Sequence, residues 1–206
     1  KIYIRSLASR DASGGLSKSI EKVACLLDAA GFDIIILETV GVGQIELEIV
    51  KTSDATIVVL NPESGDEIQM LKAGLMEIGD IFVVNKSDRD GADKLMVALE
   101  NYLPSISVKC KDWALRKVKT IAINNIGIND LKGFLDEYEL LIKSTGKLDQ
   151  KYNARYISSV KKYLNDYLND NFWTEDKLKI LKDKSILLDK DKIPPQKLAK
   201  ILFQDS

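Results

Sequence analysis

Three short apolar, β-branched runs, each tied to a stretch of helical periodicity, limit this chain to one broad architecture. The runs are residues 55–60, Ile81–Val84 and 118–123. They are short, bounded by turn formers and mostly apolar, which predicts buried strands. Between and after them, apolar residues recur at helical spacing: Ile68, Leu71, Leu75 and Ile78; Leu95, Met96 and Leu99; Ile128, Leu131, Phe134, Leu135, Tyr138 and Leu141. Strands that alternate with helices at this interval form βαβ units. The predicted fold class is therefore α/β, a mostly parallel sheet with flanking helices.

The segment ahead of these runs extends the same pattern. Residues 1–4 read as a short strand. Leu16, Ile20, Val23 and Leu27 mark one face of a helix that Gly31 closes. Residues 33–37, Asp-Ile-Ile-Ile-Leu, read as a further buried strand. It ends in an acid, Glu38, and a loop holding Gly41 and Gly43. A strand that delivers a carboxylate to its C-terminal tip, followed by a glycine loop, is how an α/β sheet builds a ligand site at its edge.

The composition shifts at Ser144-Thr145-Gly146, and no strand-like run follows. Tyr152, Tyr156, Tyr163 and Tyr167 fall near helical spacing, as do Val160, Leu164 and Leu168. Thr174 reads as a helix cap, and Pro194-Pro195 opens a last helix. Two parts are expected: a main domain over residues 1–146 and a helical extension over 147–206. The stripes of the extension are narrow and need covering, by the main domain or by another subunit, and a homodimer contact is the expectation.

Several functions are excluded at once. A net charge of -1 gives no electrostatic case for nucleic acid or an anionic membrane. No apolar run approaches the roughly 18 residues that span a bilayer. The absence of histidine removes Ser-His triads and most zinc sites. Cys25 and Cys110 lack metal-ligand spacing, and two cysteines in a chain of this size read as reduced and cytoplasmic. The sequence starts at Lys1 and opens directly on Ile2-Tyr3-Ile4, so residues are expected to precede it.

The residues with a chemical signature lie at the ends of the predicted strands. Asn85-Lys86-Ser87-Asp88 follows one directly. Guanine offers an exocyclic amine and a ring N–H as paired donors, and one carboxylate accepts both. Asp88 has that role in this reading. Asn85 braces the loop and contacts the base, and the Lys86 stem lies against the purine face. Adenine lacks the donor pair and would leave buried polar groups unpaired. After the next strand, Ala122 is small enough to let a backbone N–H approach the guanine carbonyl. Glu38 fits a water-mediated Mg²⁺ contact, and Gly41 lets a backbone N–H reach a terminal phosphate. A phosphate loop of the form Gly-x-x-x-x-Gly-Lys-[Ser/Thr] occurs nowhere in the 206 residues.

Glu38-Thr39-Val40-Gly41-Val42-Gly43-Gln44 closely resembles the hallmark of GTPases that act as chaperones for adenosylcobalamin-dependent methylmalonyl-CoA mutase. These were long labelled arginine/ornithine transport-system kinases. The resemblance extends through Arg5-Ser6-Leu7-Ala8-Ser9-Arg10, Gly14-Gly15-Leu16, Gly65-Asp66-Glu67-Ile68-Gln69, Lys72-Ala73-Gly74 and Asn85-Lys86-Ser87-Asp88, and covers roughly residues 1–145. It implies GTP or GDP with Mg²⁺ as ligands and an acyl-CoA mutase as partner. It places Glu38 and Gly41 in the second switch and Mg²⁺ shell, and residues 62–72 in an extra switch that senses the mutase. There it implies that Lys72 enters the nucleotide site and speeds hydrolysis, with Asp66 and Gln69 positioning that element. A cation near the γ-phosphate stabilises the charge that develops there.

Two departures stand against the family pattern. Glu63-Ser64-Gly65 replaces a glycine-rich run, a change expected to stiffen the switch. The phosphate loop and the first Mg²⁺ aspartates lie, in the family, upstream of the point matched by Lys1. The 206-residue polypeptide alone is therefore expected to bind GTP poorly. A non-catalytic partner-binding module is the alternative reading. A nickel- or cobalt-insertion GTPase is disfavoured, because such proteins need Cys/His ligands.

Overall fold

The structure, a computed structural model, describes residues 2–7, 15–39, 50–62, 75–103, 113–185 and 193–204. Its centre is a parallel sheet of β1 (Ile57–Leu60), β2 (Ile81–Val84) and β3 (Arg116–Lys119), in that spatial order. Ile57 pairs with Ile81, and Ile81 with Arg116, so the three strands run level. β2 has a neighbour on each side, and all four of its side chains are buried. A strand covered on both faces cannot alternate apolar with polar residues, which is why Ile-Phe-Val-Val is uniformly apolar.

Helices α1 (Gly15–Ala29), α2 (Leu75–Ile78), α3 (Ala92–Tyr102) and α4 (Ile128–Ser144) accompany the sheet. Phe82 and Val84 point to one face, where they cluster with Val58, Leu60, Leu95, Leu99 and Leu103. Ile81 points to the other, against Trp113, Tyr138 and Ile142. Each large side chain buried this way contributes about 1.5–3 kcal/mol. The strands at Ile81–Val84 and within 55–60, and the helices around Leu95 and Leu131, match the sequence pattern.

α1 ends as its glycine predicts. Gly31 adopts φ 82°, its N–H donates to the Asp28 carbonyl at 2.9 Å, and the Phe32 N–H reaches the Leu27 carbonyl at 3.2 Å. This is the Schellman arrangement, which satisfies the last carbonyls of a helix.

Two expected strands are not strands. Residues 34–39 join no ladder among the described residues, and Ile34 and Ile36 are 79% and 86% exposed. Residues 2–7 likewise form no strand, with Ile2 and Ile4 exposed. Apolar character gives a segment the capacity for burial, but a strand also needs a partner for its N–H and C=O groups. The expected strand 118–123 is shifted: the ladder covers Arg116–Lys119, and Ala122–Asn124 turn as a 3-10 helix. Arg116 and Lys117 escaped the apolar pattern because charged heads on apolar stems can line a sheet. Arg116 lies over the Trp113 and Phe134 rings at 5.4 and 5.5 Å.

The chain divides into two compact units, residues 1–152 and 153–206. The long helix α5 (Lys147–Phe172) begins in the first and continues into the second. α6 (Glu175–Ser185) and α7 (Pro195–Gln204) complete the second unit. The Thr174 hydroxyl oxygen accepts the Lys177 N–H at 3.4 Å, so Thr174 caps α6. The ring of Phe172 packs near Phe203, centroids 6.0 Å apart, with the Lys177 ammonium 4.2 Å from its own centroid. No helix among the described residues is long and apolar enough to cross a membrane.

Candidate functional site

The C-terminal ends of β2 and β3 lie side by side, so the loops that leave them meet. Asn85 is the first residue beyond β2, and its N–H donates to the Leu60 carbonyl at 2.9 Å. Its side-chain Oδ1 accepts two bonds from the neighbouring loop. The Thr120 hydroxyl donates at 3.1 Å and the Ala122 N–H at 3.2 Å. Thr120, 1% exposed, adds two main-chain bonds: its N–H donates to the Val84 carbonyl at 2.9 Å, and its carbonyl accepts the Ser87 N–H at 3.0 Å. The two loops therefore form one hydrogen-bonded unit.

Lys86 has φ 54°. A side chain in this left-handed region costs about 1–2 kcal/mol, and such conformations concentrate at functional loops. The turn it makes closes with a bond from the Arg89 N–H to the Lys86 carbonyl at 3.0 Å. Asp88 follows on the exposed side of that turn, its Oδ2 3.7 Å from the Arg89 Nε. Both side chains of this pair are largely solvated, and exposed pairs hold side chains only weakly. The Asp88 carboxylate is thus open to a ligand with paired donors.

Ala122 is exposed and adjoins the same loop, but its N–H is engaged with Asn85. A base carbonyl that used this donor would have to share it. Thr120 lies in the loop after the strand where the sequence gives a role to Ala122 alone. Its signal was a hydroxyl at the end of an apolar strand, and its contribution is to tie both loops together.

Glu38 is exposed and lies in segment 34–39, which joins no ladder among the described residues. Gly41, Gln69 and Lys72 fall outside the described residues. Among the described residues, no group of three or more acidic or cysteine side chains could enclose a metal ion. A single carboxylate still fits Mg²⁺, which in phosphate sites takes one or two carboxylates and completes its shell with water and phosphate oxygens.

A parallel sheet whose adjacent strands bring an Asn-Lys-Ser-Asp loop and a small-residue turn to one edge has the architecture of a P-loop-type GTPase fold. The chain belongs to the family described as "Methylmalonyl Co-A mutase-associated GTPase MeaB", whose sequence profile matches residues 1–177. A Pyrococcus abyssi protein named as a GTPase is 42% identical over 162 residues, which cover 78% of this chain and 50% of that protein. GTPase ArgK of Escherichia coli is 30% identical over 178 residues, 84% of this chain and 54% of that protein. The crystal structure of an LAO/AO transport system kinase superposes with a TM-score of 0.71 at 26% identity, covering 93% of this chain and 63% of that one. The chain thus spans about half the length of the curated relatives it matches.

Proposed function

We propose that this chain is the base-recognition and switch portion of a GTPase that acts as a chaperone for an adenosylcobalamin-dependent acyl-CoA mutase of the methylmalonyl-CoA type. The observation that carries the reading is the Asn85 side chain, which joins the loops after β2 and β3 within a family-matched chain. In this proposal Asp88 accepts the two guanine donors, and the Lys86 stem covers the purine face. Asn85 holds Ala122 where its N–H can be shared with the base carbonyl. Glu38 supports Mg²⁺ through water, and Gly41 admits a γ-phosphate oxygen. Lys72, positioned by Gln69, supplies the charge that accelerates hydrolysis when the mutase docks. The GTPase domain corresponds to residues 1–146, with 147–206 as a dimerising arm.

The test is GTP hydrolysis by the full encoded protein, with and without an adenosylcobalamin-dependent acyl-CoA mutase. A rise in turnover that requires the mutase and is lost in Lys72→Ala is the expected result. Hydrolysis indifferent to the mutase would overturn the chaperone assignment. Mutase binding without any GTP dependence would instead favour a non-catalytic docking module.

A further inference from the structure

The central strand is held at both ends, and the two grips belong to one closed circuit. Just before β2, the buried Asp80 carboxylate accepts the Thr56 N–H through Oδ2 at 2.8 Å and the Tyr138 hydroxyl through Oδ1 at 2.8 Å. The Asp80 carbonyl accepts the Trp113 indole N–H at 2.9 Å. Just after β2, Asn85 makes the two side-chain bonds to Thr120 and Ala122. Between these points the four side chains of β2 are all buried, and close-packed interiors leave little room for a strand to shift independently.

α4 runs back along the same path. It starts beside the Ala122 turn, where Gly127 at φ 75° lies so close to β3 that an added Cβ would stand 2.1 Å from the Lys119 carbonyl oxygen. Its Tyr138 then reaches Asp80. From Asp80 to Asn85 a strand covers about 16 Å at roughly 3.3 Å per residue. From Ile128 to Tyr138 a helix covers about 15 Å at 1.5 Å per residue. The two struts are similar in length, and the circuit runs through Asp80, β2, Asn85, the Ala122 turn, α4, Tyr138, and Asp80 again. It is covalent except at Asn85–Ala122 and Tyr138–Asp80.

We propose that Tyr138 and Asp80 are positioning residues for the base-reading loops, fixing the register of Asn85 against Ala122 from the opposite end of the sheet. A carboxylate that only satisfied nearby donors would leave the far loops unaffected when its tyrosine partner is lost. The functional consequence rests on the guanine-reading role proposed above, whereas the mechanical coupling does not. Lys151 also donates to the Tyr138 oxygen, at 3.4 Å, but it lies outside the circuit.

Site-resolved amide hydrogen exchange on the 206-residue chain tests the coupling without any nucleotide. Tyr138→Phe removes one hydroxyl and opens the circuit. The Asn85, Ser87, Thr120 and Ala122 amides are expected to exchange about tenfold faster, the scale of one lost hydrogen bond to a charged group. Asp80→Asn, which keeps the side-chain shape, is read in the same way if the phenylalanine variant does not fold. Lys151→Met, and Leu103→Val in the opposite core, should leave those four amides unchanged. Faster exchange confined to Thr56 in Tyr138→Phe, or equal acceleration in either control, would overturn the proposal. Loop amides that respond as expected in a full-length protein that ignores guanine nucleotides would retain the coupling and sink the GTPase reading instead.

Discussion

Removing the Asn85 side chain strands the donors on which both loops depend. The Thr120 hydroxyl loses its acceptor inside a residue that is 1% exposed, whereas the Ala122 N–H can turn to water. Asn85→Ala is therefore expected to cost about 1–3 kcal/mol, read as a lower urea midpoint with an unchanged slope. In the proposed reading Asp88 sets selectivity instead, because its carboxylate is exposed and supports little of the fold. Asp88→Asn exchanges one acceptor for a donor. Xanthine carries a carbonyl where guanine carries its amine, so the variant of the full protein should favour xanthine over guanine nucleotides by about tenfold or more. Competition of XDP against GDP for a fluorescent nucleotide measures it, and an unchanged preference would remove Asp88 from the base site. The proposed roles of Asn85, Lys86 and Asp88 were legible in the sequence because their types and spacing suit a base with paired donors. The role of Thr120 was not, since a lone hydroxyl gives no sign of how many bonds it will make once a second loop arrives.

At the level of elements, legibility followed the availability of partners. β2 and α4 appear where their patterns put them, because both find packing on the residues around them. Residues 34–37 are an equally apolar run, yet Ile34 and Ile36 stand exposed and join no ladder among the described residues. Pattern measures the capacity to be buried, and only tertiary context supplies the burial. The turn into α4 illustrates the opposite case, where one residue decides an element's position. Gly127→Ala would place a methyl group against the Lys119 backbone and force a left-handed conformation, so a loss of at least about 1–2 kcal/mol and a fall of several degrees in Tm are expected. The outer face of α5 makes a further demand. Tyr156, Val160, Tyr163, Leu164, Tyr167 and Leu168 are all exposed on one long helix. A second copy of the chain is the proposed cover. Light scattering should show a dimer at tens of micromolar that Leu164→Asp converts to monomer, because a buried unpaired carboxylate is prohibitively costly. A wild-type monomer at that concentration would refute it.

For the molecule as a whole, base recognition and phosphate binding are separable contributions. In the proposed reading the described site supplies the first: Asn85 fixes two loops and Asp88 presents a carboxylate. A bidentate charge-assisted pair contributes a few kcal/mol at most, since each hydrogen bond to a charged group nets about 1.5–3 kcal/mol. A micromolar Kd corresponds to about 8.2 kcal/mol. The remainder in a nucleoside triphosphate comes mainly from the phosphates and their metal, gripped by backbone N–H groups and a lysine in a glycine-rich loop. The 206 residues contain no such loop. The chain by itself is therefore expected to bind a fluorescent GTP analogue well above the micromolar range, with little distinction between GTP, GDP and guanosine. That last comparison is the sharper one. If triphosphate, diphosphate and nucleoside bind alike, affinity resides in the base loops alone. If GTP binds at micromolar Kd and guanosine does not, a phosphate cradle exists within these 206 residues and the division of labour described here is wrong.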